Sequence, residues 1–117
     1  ELRQAIAARY EEGLAGVPIG LPRRRPETSP VFHQYVIRSK DRDRLREHLR
    51  AASIGTGMHY PVPVHLHPAY RSRVALGPTG LRNSEKAAGE ILSLPIYPQL
   101  ADDAVDRVIA EIRKFFD

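Results

Sequence analysis

The chain has no cysteine among its 117 residues, so it can form no disulfide, build no cysteine–zinc site and offer no thiol nucleophile. Its apolar runs fall far short of the ~18 residues of a membrane span. The first helical segment carries Glu11 and Glu12 where a secretory signal would be apolar. Cytoplasm is the expected compartment, with no membrane partner. Lysine is scarce, since the 18 basic residues are 15 arginines and 3 lysines, for a formal net charge of +4. That excess fits an anionic partner, but also simply an arginine-rich genome. A phosphate-binding glycine loop and a nucleophile-elbow pattern are both missing, as is the RNP-like aromatic motif that would support RNA binding. Between Ile54 and Asn83 there is no acidic residue.

What is present is one domain's worth of chain, 42% hydrophobic and 27% charged. Leu2, Ile6, Tyr10 and Leu14 recur every four positions and predict an amphipathic helix. It begins at Glu1 without a capping residue, so its true start is expected upstream, and the face carrying Leu2, Ile6, Tyr10 and Leu14 is expected to be an exposed apolar patch. Six glycines and prolines between Gly16 and Pro30 then predict an extended connector whose tip is Arg23, Arg24 and Arg25. Val31 to Ser39 is β-branched and aromatic and predicts the best strand, apolar on both faces and so central, with Arg38 near its end. Arg38 suits a carboxylate, whether a ligand's or a structural partner's.

Asp41 or Asp43 should cap a helix running to Ala52 on a stripe of Leu45 and Leu49, with His48 on the surface. Asn83 or Ser84 should cap a short helix containing Ala87, Ala88, Ile91 and Leu92, ended by Pro95 and Pro98 in an edge-strand-like LSLPIYP segment. The final segment, with Val105, Val108, Ile109, Ile112 and Phe116 on one stripe, is the clearest helix. Its Asp102 and Asp103 lie at the positive end of the dipole and its Arg113 and Lys114 at the negative end.

The chemistry is expected in Ile54 to Tyr70, IGTGMHYPVPVHLHPAY, which holds three of the five histidines and three of the ten prolines. Pro61, Pro63 and Pro68 fix φ and withhold donors, so a short strand ending near His59 or Tyr60 should hand into a rigid loop. A pre-organised imidazole there suits an anionic or hydroxylated ligand. Pro68 can open a helical turn through Tyr70. His59, His65 and His67 are conceivable metal ligands, but their spacing matches no zinc motif and no carboxylate accompanies them, so no metal is expected.

Three stretches, YEEGLAG, FHQYVIRSKDRDRLREHLRAASIGTGMHYPVPVHLHPAY and SEKAAGEILSLPIYPQLADDAVDRVIAEIRKFF, resemble in order the carboxy-terminal part of the DegT/StrS sugar aminotransferases. That resemblance implies a small C-terminal domain of a fold type I pyridoxal phosphate (PLP) enzyme. Its fold would be α/β of the α+β type, with an antiparallel sheet of about three strands flanked by helices. Residues 1–14 would be the linking helix from a missing N-terminal large domain, and 15–117 the small domain. The implied activity is transfer of an amino group from an amino acid to a nucleotide-linked keto sugar by a homodimer, although some members lack the lysine and dehydrate sugars instead. The Schiff-base lysine and most of the phosphate cradle would lie in the large domain, leaving no catalytic or PLP-binding residue here. The matching HYP element puts His59 and then Tyr60 forward as substrate contacts, with His65 and Arg38 weaker. The reading from another class is an autonomous module that binds nucleotide sugar or RNA.

Overall fold

The computed structural model describes residues 1–117. Its elements are α1 (Leu2–Gly13), β1 (Tyr35–Arg38), α2 (Arg42–Ala51), a 3₁₀ turn (Val64–Leu66), α3 (Arg82–Glu90), β2 (Ile91–Leu94) and α4 (Asp102–Phe116). β1 and β2 pair antiparallel, with Tyr35 opposite Leu94 and Arg38 opposite Ile91. Alternation along each strand sends Tyr35, Ile37, Leu92 and Leu94 into the core, and leaves Val36, Arg38, Ile91 and Ser93 on the other face.

The sheet therefore has two strands, where about three are expected. Its flanks are single bridges, Gly20 to Arg38 on one edge and Gly57 to Ser93 on the other. Pro18 and Pro22 on either side of Gly20, and Pro61 and Pro63 soon after Gly57, deny those flanks a longer ladder. The strand expected over Val31–Ser39 shrinks to four residues because Phe32 has φ +46. That turn buries Phe32 against Tyr35, with ring centroids 5.9 Å apart, under the guanidinium of Arg24. Val31 is left exposed. Between its two bridged edges the sheet places β1 next to Gly20 and β2 next to Gly57, so β2 is not a free edge.

α1, α2 and α4 cover the inner face. Ile6, Tyr10 and Leu14 are buried in this chain's own core, and only Leu2, 63% exposed, departs from the stripe. The exposed patch expected on α1 thus reduces to one residue. α1 and α4 approach closely at Gly13, where a Cβ would sit 2.5 Å from Ile109 Cδ1. Arg113 donates to the carbonyls of Gly13 and Ala15, satisfying the end of α1. On the surface Arg9 grips Asp106 with two bonds of 2.7 and 2.6 Å and reaches Asp102 at 3.1 Å. The hydrogen bond from Arg9 holds the Asp106 carboxyl below its ordinary range.

The caps differ from expectation as well. Asp41 makes no side-chain cap bond; instead the buried Ser39 hydroxyl accepts from the Asp41 N–H. α3 starts at Arg82 without a side-chain cap from Asn83 or Ser84, and Ile91 and Leu92 leave the helix to pair in β2. Arg42 explains where that exit occurs, since its Nη1 donates to the carbonyls of Ala88 and Ile91. His48 is not a simple surface residue: Nε2 meets the Glu111 carboxylate at 2.9 Å, tying α2 to α4 beside Phe115.

Candidate functional site

The site is set by how α2 ends. Ser53 takes φ +59, the Ser53 N–H bonds to the carbonyl of Arg50 and the Ile54 N–H to that of Leu49. This is a Schellman turn with serine at the left-handed position where glycine is usual, and Leu49 and Ile54 are both buried in the one core cluster. With Ile54 buried, Gly55 to His59 is launched along the outer edge of β2.

Gly57 exchanges two backbone hydrogen bonds with Ser93, of 3.0 and 2.7 Å. His59 then folds its ring back over Gly57, so close that a Cβ there would lie 2.6 Å from His59 Cε1. His59 Nδ1 is 2.9 Å from the Ser93 hydroxyl. The His59–Tyr60 peptide is cis, and the Tyr60 ring stands edge-on to the imidazole at 5.6 Å while 75% exposed. His59 lines an open cleft of about 370 Å³ with His33, Gln34, Thr56 and Ser93.

The three loop histidines do not converge. His65, in the 3₁₀ turn, is 5% exposed and its Nε2 lies 2.9 Å from Glu85 of α3, so it joins the loop to that helix. His67 is exposed beside Tyr70. Pro68 opens the expected helical turn, with the Tyr70 and Arg71 N–H groups both bonding the His67 carbonyl, and the turn does not extend into a longer helix. No set of three histidines, aspartates and glutamates is grouped to hold a metal ion. His59 and Tyr60 are thus brought together as the sequence suggests, whereas His65 is held apart from them by its burial and its partner.

Arg38 lies at the opposite end of the sheet, where Nε and Nη2 both bond Glu90 Oε2, at 3.1 and 2.7 Å. It lines a second cleft, of about 880 Å³, with Arg23, Lys40 and Lys86. The carboxylate that Arg38 meets here is the chain's own. Lys40 and Lys86 are exposed, and Lys114 sits on the surface 3.5 Å from Glu111. All three lysines are exposed, which does not fit an imine-forming amine, a group that needs to be shielded from water.

Sequence reasoning passes over Ser93 and Glu85, the two residues that hold the loop's imidazoles. The available signal for Ser93 is one hydroxyl inside the apolar run ILSL, which period-two alternation sends to the outer face. Glu85 has no such signal, because an acidic residue in the first turn of a helix is common for its own reason.

The model of the DegT/DnrJ/EryC1/StrS aminotransferase family matches residues 1–113. Over 97% of its length the chain is 49% identical to a dTDP-3-amino-3,4,6-trideoxy-alpha-D-glucose transaminase of Streptomyces venezuelae. It is 34% identical, over 95% of its length, to a UDP-2-acetamido-2-deoxy-3-oxo-D-glucuronate aminotransferase of Pseudomonas aeruginosa. In each case it spans 30% of the relative. Its fold superposes on the crystal structure of S. venezuelae DesV in complex with a ketimine intermediate with a TM-score of 0.93 and 46% identity, covering 98% of this chain and 31% of that one.

Proposed function

The chain belongs to the DegT/DnrJ/EryC1/StrS aminotransferase family, and from that premise we propose that it forms the small C-terminal domain of a PLP-dependent sugar aminotransferase. The reaction is transfer of an amino group from an amino-acid donor to a nucleotide-linked keto sugar. What supports this reading is a match along nearly the whole chain, in sequence and in fold, to transaminases named for dTDP- and UDP-linked sugars. The relatives give no support to the alternative of a non-catalytic nucleotide-sugar or RNA module.

In this reading residues 1–14 lead in from a large domain and 15–117 are the small domain. PLP is held by that large domain, because the lysines here do not fit it, and these residues alone are inactive. The full-length enzyme is a cytoplasmic homodimer with no nucleic-acid or membrane partner. No helix of this chain is long and apolar enough to cross a membrane.

The role left to this chain is orientation of the sugar and exclusion of water. His59 is the first substrate contact and Tyr60 the second, since both lie on one exposed, proline-stiffened turn. His65 and Arg38 are weaker, each already engaged by a carboxylate of this chain. The test is an amino-transfer assay of the full-length protein with PLP, glutamate and a panel of dTDP- and UDP-linked keto sugars. Formation of an amino sugar from one of them is expected. A protein that folds and binds PLP yet only dehydrates these sugars would sink the aminotransferase reading.

A further inference from the structure

Ser93 is almost fully buried, on the one strand position where its hydroxyl can reach the histidine loop. That hydroxyl has a single partner, His59 Nδ1, at 2.9 Å. A hydrogen bond between a hydroxyl and an imidazole nitrogen can run either way, depending on which ring nitrogen carries the proton. If Nδ1 carried it, the ring would donate to Ser93, and the serine hydrogen would be left without an acceptor within the protein. Buried hydroxyl hydrogens are rarely left so. If Ser93 donates instead, the serine is satisfied, Nδ1 is satisfied, and the ring proton is on Nε2. Nε2 has no partner within the protein, and the ring borders the cleft.

We propose that Ser93 is a positioning residue that holds neutral His59 in its Nε2–H tautomer, so that the ring offers the cleft a hydrogen-bond donor rather than an acceptor. The ligand atom that His59 recognises is then an acceptor oxygen, on phosphate or on a carbonyl, and not a hydroxyl hydrogen. Gly57 is the second part of the device. Its missing Cβ leaves the space into which the Cε1 edge of the ring projects, and any larger residue would push the ring off Ser93 before it disturbed the bridge.

The assignment of the ligand contact rests on the proposed function, whereas the tautomer does not, and two measurements separate them. The first is nitrogen-15 NMR of the His59 ring in this chain at alkaline pH, where the neutral ring reports its tautomer directly. The wild type should show Nε2–H, Ser93→Ala a mixture of tautomers, and Ser93→Thr the wild-type pattern again. Gly57→Ala should likewise give a mixture while the rest of the spectrum stays folded. A wild type with the proton on Nδ1, or a Ser93→Ala spectrum unchanged from it, overturns the proposal.

The second measurement is steady-state kinetics of the full-length enzyme with a nucleotide-linked keto sugar. Ser93→Ala should raise KM about fivefold, the equivalent of one ordinary hydrogen bond, with kcat within about twofold. Ser93→Thr should restore KM. Inhibition by inorganic pyrophosphate weakened in Ser93→Ala assigns the contact to phosphate; inhibition weakened only for a phosphate-free keto hexose assigns it to the carbonyl. If the NMR pattern holds while KM and both inhibitors are unaffected, the substrate-contact reading of His59 fails and the Ser93–His59 pairing stands.

Discussion

The packed side of the molecule and its histidine loop contain similar apolar residues and use them in opposite ways. α1, α2, α4 and the inner face of the sheet supply nearly all of the buried core. From Tyr60 to Leu81 only His65 is buried, while Tyr60, Val62, Val64, Leu66, Tyr70, Val74, Leu76 and Leu81 are all exposed. The difference is periodicity. On the packed side apolar residues return at helical or strand spacing and so form a face that can meet another face. In the loop, prolines and turns break any such period, so Tyr60, Val62, Val64, Val74 and Leu81 border an open cleft beside α3 instead of packing as a face, and two polar joints, His59 to Ser93 and His65 to Glu85, tie the loop to the sheet and to α3.

The sharpest way to break this comparison is to truncate equivalent side chains on each side. Leu92→Ala, at a fully buried position of β2, should cost about 2 to 5 kcal/mol, and Val62→Ala in the loop less than about 0.5 kcal/mol. Urea midpoints at constant m-value would measure both. A Val62→Ala loss approaching that of Leu92→Ala would mean the loop packs in solution.

The two loop joints should divide stability from activity. His65→Asn removes the buried imidazole from Glu85 and should lower stability by about 1 to 3 kcal/mol, with the loop amides losing protection from hydrogen exchange first. His59→Asn should leave the melting temperature nearly unchanged and lower kcat/KM of the full-length enzyme about five- to a hundredfold, as loss of one ligand hydrogen bond would. Activity lost only in proportion to unfolding would remove His59 from the substrate site.

Within the core, Tyr10 and Tyr35 stack at 5.0 Å but differ at the hydroxyl. Tyr10 donates to the Pro95 carbonyl at 2.9 Å, and the buried Tyr35 hydroxyl has no partner. Tyr10→Phe should therefore cost about 1 kcal/mol, and Tyr35→Phe should be neutral or stabilising. Burial raises the pKa of both phenols. A group raised in the folded state contributes fully below its unfolded value and loses that contribution above it, so stability should fall as pH climbs past about 10. The double phenylalanine variant should flatten that decline. Ser53→Gly should stabilise by about 0.5 to 1 kcal/mol by relieving the left-handed backbone, read as a small rise in the urea midpoint.

Much of this was legible in the chain before folding. The stripes of α1 and α4, the strand at Tyr35–Arg38, the proline-stiffened histidine loop and the family resemblance all rest on local spacing or contiguous motifs. Where α3 ends and the place of His48 were not legible because each depends on a distant partner, Arg42 and Glu111 respectively. The cap of α2 and the third strand fail locally, the first to Ser39 two residues before Asp41 and the second to the prolines that keep both flanks to single bridges.

The division between sequence and structure follows that line. Sequence by itself determined the helical stripe of α4 and that Ile54 to Tyr70 could hold no continuous ladder, because periodicity and proline act through neighbouring residues. Only the tertiary structure decided that His59 and not His65 is open to a ligand. Ser93 lies 34 residues from His59 and Glu85 lies 20 from His65, and which imidazole is freed or buried is fixed by strand register and helix placement, which no local pattern specifies.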